Sequence, residues 1–167
     1  SSDLLKPGGR CGIVLDEGFL FRTNETAFVR TKQKLLSECN LWCIVSLPEG
    51  VFVNAGTHLK TNLLFFTKGE ATANIWYYDL SGLKVNKKNP LTLEKFEEFF
   101  RLLPSRGDSE NSWSISCQEI EEKGYDLKAV NPKGFIKTNS RTRAELLHLI
   151  AEKNREVEAT LAVIKNS

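Results

Sequence analysis

The sequence is notable first for what it lacks: among 167 residues there is no methionine and no long apolar run. A membrane-spanning helix needs roughly 20 consecutive apolar residues, so we expect no membrane partner. The formal net charge is only +2, which excludes a general electrostatic attraction to nucleic acid and leaves only local contacts. No charged-then-apolar leader precedes the first predicted strand, and we therefore expect a cytoplasmic protein.

Common catalytic and metal-binding motifs are also missing. The four cysteines form no Cys-x-x-Cys pair and the two histidines lie far apart, so we expect no metal site and reduced thiols. There is no G-x-S-x-G elbow, no H-E-x-x-H and no P-loop. Gly8, Gly9 and Gly12 precede a predicted strand, whereas a phosphate-binding glycine loop follows a strand and opens a helix. These glycines indicate a turn. Taken together, the missing motifs indicate that this sequence contains at most part of a catalytic site.

The first half of the sequence predicts an α/β fold. "RCGIVLD" predicts a buried strand, and "NETAFVRTKQKLLSEC" predicts a helix because Phe28, Leu35, Leu36 and Cys39 share one face. "LWCIVSL", "TNLLFFT" and "ANIWYYDL" predict three more strands, the last of them nearer the edge of the sheet. The connection between the first two of these is short, which favours an antiparallel pair, since a parallel crossover needs about a dozen residues.

After the fourth strand the composition becomes polar and basic. "SGLKVNKKNP" predicts a loop whose Lys84, Lys87 and Lys88 we interpret by default as a solvated surface. Thr92 is expected to cap a short helix, and "SRGDSENS" indicates a flexible linker. Ser116, with a glutamate three residues later, predicts a capping box that opens another short helix.

The last predicted helix carries an apolar seam whose positions alternate by three and four residues. One of them, Asn154, is polar, as is typical of the residue that fixes the register of paired helices. The opposite side is dense in charged residues. Two interpretations stay open: contact with a partner helix, or packing on the chain's own domain. The seam consists of Leu147, Ile150, Asn154, Val157, Leu161 and Ile164.

A large aromatic residue, Phe52, lies in the loop between the second and third predicted strands, within "LPEGVFVNAGTHLK". Most connecting loops consist of small and polar residues. Phe52 either folds back into the core as a plug at the end of the strand, or it has a function on the surface. The residues alone favour the plug.

Several stretches, taken in order, resemble the methylation subunit of type I restriction-modification systems. The resemblance covers nearly the whole chain and implies an N6-adenine DNA methyltransferase with a Rossmann-like fold. It implies the later half of the catalytic domain in residues 1–80, a basic loop with short helices and a linker in 81–139, and a helix for subunit contact in 140–167. The C-terminal region is thus expected to be mainly helical. The matching stretches are "LLKPGGRCGIVL", "LPEGVF", "LKTNLLFFTKG", "IWYYDL", "NPLTLEKFEEFF", Trp113 and "GYDL".

The resemblance also implies which parts are missing. Such enzymes need a glycine-rich S-adenosylmethionine loop after their first strand and an Asn-Pro-Pro-aromatic motif. The pairs Asn89-Pro90 and Asn131-Pro132 do not continue in that way and indicate ordinary turns. We therefore expect a fragment of a longer protein, inactive alone, with no catalytic, cofactor-binding or metal-binding residue. The absence of methionine from the sequence agrees with a fragment, and removal of the initiator methionine and chance are the alternative explanations for that absence. The full-length parent is expected to use S-adenosylmethionine.

Site residues and partners follow from the same resemblance. In related adenine methyltransferases the aromatic residue that matches Phe52 packs against a flipped adenine, which shifts the interpretation from plug to pocket wall. DNA is the expected ligand, and a specificity subunit and a restriction (nuclease) subunit are the expected partners. A non-catalytic module docking on the specificity subunit is the alternative function, and a small α/β domain alike only in fold is the third. Possible DNA contacts are Asn54, Thr57, His58, Lys60, Lys133, Lys137, Arg141 and Arg143. For Lys84, Lys87 and Lys88, contact with DNA phosphates is the alternative to the solvated surface that we take as the default.

Replacing Asn154 by leucine tests the seam. If the helix pairs with a partner, removing the buried amide should change the oligomeric state or the choice of partner. Size-exclusion chromatography with light scattering, together with a pull-down of the specificity subunit, measures both. A variant that matches the unmodified chain in both assays would assign the helix to its own domain.

Overall fold

A five-stranded mixed sheet organises the part of the chain that the structure, a computed structural model, describes: residues 5–53, 56–57, 59–128 and 130–132. The order across the sheet is β1-β3-β2-β4-β5. Strands β2 and β4 run parallel, and the other neighbouring pairs are antiparallel, including the predicted pair of β2 and β3. The strands are β1 (Arg10–Asp16), β2 (Cys39–Ser46), β3 (Thr61–Lys68), β4 (Asn74–Asp79) and β5 (Ser112–Ser116).

Within the described ranges, four short or medium helices accompany the sheet, and the α/β prediction is confirmed. The helix predicted from "NETAFVRTKQKLLSEC" ends at Glu38. Cys39 was expected on the apolar face of this helix but is the first residue of β2, because its backbone is extended and it pairs with Lys68. No described helix is both long enough and apolar enough to cross a membrane. The helices are α1 (Glu17–Phe21), α2 (Thr26–Glu38), α3 (Glu97–Leu102, after a 3-10 turn at Leu93–Phe96) and α4 (Cys117–Glu122).

The predicted helix caps differ in outcome. At α4 the Ser116 hydroxyl accepts a hydrogen bond from the Glu119 backbone N–H at 3.2 Å, as predicted. The Glu119 carboxylate does not complete the box but accepts a hydrogen bond from Lys123 Nζ at 2.8 Å. Thr92 was expected to cap the preceding helix through its side chain, but it makes no such bond. Only its backbone carbonyl takes part, accepting the Lys95 N–H at 3.2 Å.

Strand β1 is at the edge of the described sheet and is not the buried strand that its composition predicts. Within the described residues it pairs with β3 alone, and its side chains alternate between exposed and half-buried. Val14, for example, is 45% exposed. A short apolar run thus identified the strand but not its burial, which depends on what lies on its second side.

Strand β5 lies where the sequence predicts the end of a linker and the start of a helix. It pairs antiparallel with β4, so β4 is an interior strand and not an edge strand. The pentapeptide "SWSIS" alternates serine with Trp113 and Ile115, and both apolar side chains join the core. This period-two pattern is the signal of a half-buried strand, and the serine-rich surroundings concealed it.

Apolar side chains of the sheet alternate between two cores, one on each face. On one face Leu36 of α2 and Ile120 of α4 join a core with Tyr77 of β4. On the other face Phe99 of α3 packs against Trp76 at 5.5 Å and Tyr78 at 5.3 Å between ring centroids. Helices on both faces of a sheet with a parallel pair are the arrangement expected of an α/β domain.

A fully buried lysine, Lys32, joins α2 to two other segments, the end of α1 and the turn after α4. Its Nζ donates hydrogen bonds to the carbonyl oxygens of Leu20 at 2.7 Å, Arg22 at 3.0 Å and Tyr125 at 2.9 Å. Burial lowers the pKa of Lys32, and the Asp126 carboxylate acts in the opposite direction. The three N–H donors of the ammonium match three backbone acceptors, one of them buried and two partly buried. These bonds fix the end of α1 and the turn after α4 against α2.

We predict that Lys32→Met lowers the free energy of unfolding by about 2–4 kcal/mol, because it leaves buried and partly buried carbonyls without a donor. Urea denaturation of the 167-residue chain measures this. Lys34→Met makes the same replacement at an exposed position two residues along the helix and should change stability by less than about 0.5 kcal/mol. Equal effects of the two variants would show that the three hydrogen bonds contribute nothing.

Candidate functional site

The carboxyl ends of β2 and β4 lie at the same edge of the sheet, because these two strands run parallel. Ser46 at the end of β2 pairs with Asp79 at the end of β4, and the Leu80 N–H donates to the Ser46 carbonyl at 2.9 Å. In open α/β sheets, ligands bind outside the carboxyl ends of the strands. The loops that leave β2 and β4 are therefore the place to look for a site.

Gly50 brings these two loops into direct contact. It is buried, its φ is +90°, and a Cβ built on it would lie 2.7 Å from the Val85 carbonyl oxygen. Only glycine allows this backbone conformation and this approach. The turn after β2 thus packs against the loop after β4 at a position that the sequence analysis passed over. The signal was present as a glycine inside "LPEGVF".

Phe52 lies in this turn and is half-buried. Its carbonyl accepts a hydrogen bond from the Thr57 N–H at 3.4 Å, and the Val53 N–H donates to the Gly50 carbonyl at 3.2 Å. In the same turn, Val51 packs against the core beneath α3. Among the described residues, Phe52 belongs to neither core cluster.

A cavity of about 410 Å³ lies between the two loops. Gly50 and Val53 line it from the turn after β2, and Lys84 and Asn86 line it from the loop after β4. Glu49 is the one carboxylate in this lining. The structure therefore brings the residue after Phe52 and the basic loop, which are unrelated in the sequence analysis, to one cleft.

The other predicted DNA contacts are only partly described. Thr57 is half-buried, and its hydroxyl accepts a hydrogen bond from the Leu59 N–H at 3.2 Å. Lys60 is exposed, and its carbonyl accepts from the Glu17 N–H at 2.9 Å. These bonds hold the loop but assign no ligand. The remaining predicted DNA contacts and the C-terminal seam lie outside the described residues: Asn54, His58, Lys133, Lys137, Arg141, Arg143, Leu147, Ile150, Asn154, Val157, Leu161 and Ile164.

Gly8, Gly9 and Gly12, the glycines that cluster in the sequence, do not form a loop for S-adenosylmethionine. Gly8 has a φ of +78°, and the Gly9 N–H donates to the Lys6 carbonyl at 2.8 Å, so both form the predicted turn before β1. A Cβ on Gly12 would lie 3.1 Å from the Phe65 ring, so this glycine is needed for packing within the sheet. None of the three joins a strand to the start of a helix, as a cofactor loop would. These three described glycines therefore do not supply a binding loop for this cofactor.

Three cysteines and Tyr78 are not activated as nucleophiles. Burial raises the pKa of Cys43 to about 12 and also raises the pKa values of Cys39 and Cys117. Burial and a hydrogen bond to Glu98 raise the pKa of Tyr78, whose hydroxyl donates to Glu98 Oε2 at 2.9 Å. These groups stay protonated near neutral pH and are poor nucleophiles. Within the described ranges, no three metal-ligating side chains form a group.

Known proteins similar to this chain are methylation subunits. The methylase subunit of the Escherichia coli type I restriction enzyme EcoEI is 36% identical over 144 residues, covering 78% of this chain and 28% of the relative. The StySJI methylase subunit of Salmonella typhimurium is 33% identical over 135 residues, covering 71% and 25%. The chain thus spans about a quarter of the length of these curated relatives.

Solved structures agree with this similarity. A chain from a study of the assembly and conformational transition of the type I restriction-modification system superposes with a TM-score of 0.70 at 36% identity, covering 96% of this chain and 36% of that one. The M protein of EcoKI gives 0.65 at 25% identity, covering 79% and 37%. The Rossmann-like methyltransferase fold implied by the resemblance is confirmed. Residues 2–141 match the N-6 DNA methylase family, and this chain belongs to that family.

Proposed function

We propose that this chain is part of a type I DNA methyltransferase subunit that methylates adenine N6 in DNA. Family membership and the named relatives support the reaction class. The observation that carries the assignment to this part of the chain is the cleft at the carboxyl edge, which lies between the basic loop and residues on either side of Phe52, Gly50 and Val53. S-adenosylmethionine is the proposed methyl donor of the full-length protein. Its binding loop and the residues that hold the adenine amino group belong to parts other than those described, so the chain alone should not catalyse.

Phe52 is the proposed wall of the target-base pocket. An enzyme that modifies a base inside a duplex must take the base out of the stack and hold it. Stacking of a base on an aromatic side chain contributes about 1–3 kcal/mol. Phe52 fits this role because its turn is fixed by the Gly50–Val85 contact, while the core packing in this turn is made by Val51. A half-buried ring on a fixed turn can offer a face to a ligand without first being ordered.

The partners of the full-length protein are proposed to be a specificity subunit and a restriction subunit. The support is the similarity to a chain from a study of type I complex assembly and the apolar seam predicted for the C-terminal helix. The seam is the proposed contact with the specificity subunit. This chain would then supply both a wall of the base pocket and a docking helix, and the two functions described for the sequence would belong to one protein.

Phe52→Ala in the full-length subunit, assembled with its partners, should lower kcat/KM for DNA methylation by roughly 5- to 150-fold, the equivalent of about 1–3 kcal/mol of lost stacking. Methyl transfer from labelled S-adenosylmethionine to DNA measures it. Phe52→Tyr keeps the ring and should retain most of the activity.

Leu59→Ala is the matched control, since Leu59 is an apolar residue that is 63% exposed in the same connection between β2 and β3. It should leave methylation unchanged. Full activity of a folded Phe52→Ala variant would remove Phe52 from the pocket. A similar loss in the Leu59 variant would indicate damage to the loop as a whole.

A further inference from the structure

The loop after β4, residues 81–90, is the basic side of the cleft and is called here the basic hairpin. It contains three exposed lysines, Lys84, Lys87 and Lys88, and no carboxylate. Among the described residues none of the three forms a salt bridge. Composition alone would indicate a solvated surface. The hydrogen bonds within the loop and its position beside the Phe52 turn indicate that it binds an anion.

Hydrogen bonds hold the basic hairpin in one conformation. Asn86 and Asn89 exchange backbone N–H···O bonds of 3.1 Å in both directions. Asn86 Oδ1 also accepts the N–H groups of Lys88 at 2.9 Å and of Asn89 at 3.0 Å, and Asn89 Nδ2 donates to the Lys84 carbonyl at 2.8 Å. The backbones that carry the lysines are therefore ordered before any ligand arrives, which lowers the entropic cost of binding.

A fourth cation lies at the base of the hairpin. Lys95, in the 3-10 turn before α3, donates from Nζ to Asn89 Oδ1 at 2.8 Å and to the Pro90 carbonyl at 3.1 Å. The Lys95 side chain joins the hairpin to the 3-10 turn before α3 and adds a positive charge at the base of the hairpin. Four cations on and beside an ordered loop attract anions locally more strongly than the net charge of +2 for the whole chain would suggest.

The position of the hairpin selects the anion. Val85 contacts Gly50 in the turn that carries Phe52, and Lys84 lines the same cleft as Val53. A nucleotide taken out of the duplex stays joined to its two phosphates, so cations beside a base pocket meet the backbone that flanks the target base. Glu49 lies in the cleft and opposes the binding of an anion beside Lys84, whereas Lys87 and Lys88 do not line the cleft.

We propose that Lys84, Lys87 and Lys88 bind backbone phosphates of the DNA strand next to the target base. The choice of DNA as the anion rests on the proposed function. Phosphate contacts of this kind fix the position and register of the duplex without reading its sequence. The hairpin would thus position the DNA, while Phe52 holds the base.

The test uses the 167-residue chain and a fluorescein-labelled DNA duplex, with binding followed by anisotropy at several KCl concentrations. Each phosphate contact contributes roughly 0.9 to the slope of log K against log salt. The variant K84Q/K87Q/K88Q should therefore bind more weakly at low salt and reduce that slope by about 2–3. The control R30Q/K34Q/K123Q removes the same charge from exposed positions on α2 and at the end of α4 and should keep the original slope.

Three results would overturn the proposal: no binding of the duplex by the chain, an unchanged slope in the hairpin variant, or an equal decrease in the control. A tighter complex for Glu49→Gln would support it, and a weaker one would contradict it. Failure of the base-pocket role is separately visible. Phe52→Ala would then leave methylation intact in the full-length subunit, while the salt slope of the hairpin variant would still fall.

Discussion

The parallel pairing of β2 with β4 is the constraint on which the site depends. From Cys43↔Trp76 to Ser46↔Asp79 the two strands run in the same direction, so the chain leaves both at one edge of the sheet. Had β4 paired antiparallel, the basic hairpin and the Phe52 turn would lie at opposite ends of the strands. The direction of a single strand thus decides whether Phe52, the proposed base-holding residue, and the lysines proposed to bind phosphate can meet the same DNA.

The core protects this geometry from both faces. Tyr77 and Trp113 stack at 5.6 Å on the side of α2 and α4, and Trp76 and Phe99 stack at 5.5 Å on the other side. Aromatic pairs of this kind contribute beyond the area they bury. Because they join β4 to β5 and to α3, the strand that delivers the basic hairpin is held by large side chains above and below it.

The sequence located β1, β2, β3 and β4 by their apolar runs. The antiparallel pairing of β2 with β3 is the one that their short connection predicts, whereas the parallel pairing of β2 with β4 was not predicted. The edge position of β1 and the existence of β5 depend on neighbours that lie far apart in the sequence, and a local pattern carries little information about them. Composition identified the linker residues but not the strand that follows them.

The site was predictable in its parts and not in its assembly. Phe52 was singled out because an aromatic residue in a polar loop is unusual, and its proposed role came from resemblance. The basic hairpin was assigned to the solvated surface because charge alone does not reveal the Asn86 and Asn89 bonds that order it. Gly50 was not considered, since the requirement for glycine at this position becomes visible only when Val85 is placed beside it.

The close approach of Gly50 to Val85 has a mechanical consequence. A contact without space for even a methyl group does not let the two loops slide past each other, so a displacement of one is passed to the other. Under the proposed function, binding of DNA at the hairpin and binding of a base at Phe52 would be coupled, and by linkage the coupling would be reciprocal. DNA held by its backbone would favour the geometry that receives the base, and a captured base would in turn slow the release of the backbone.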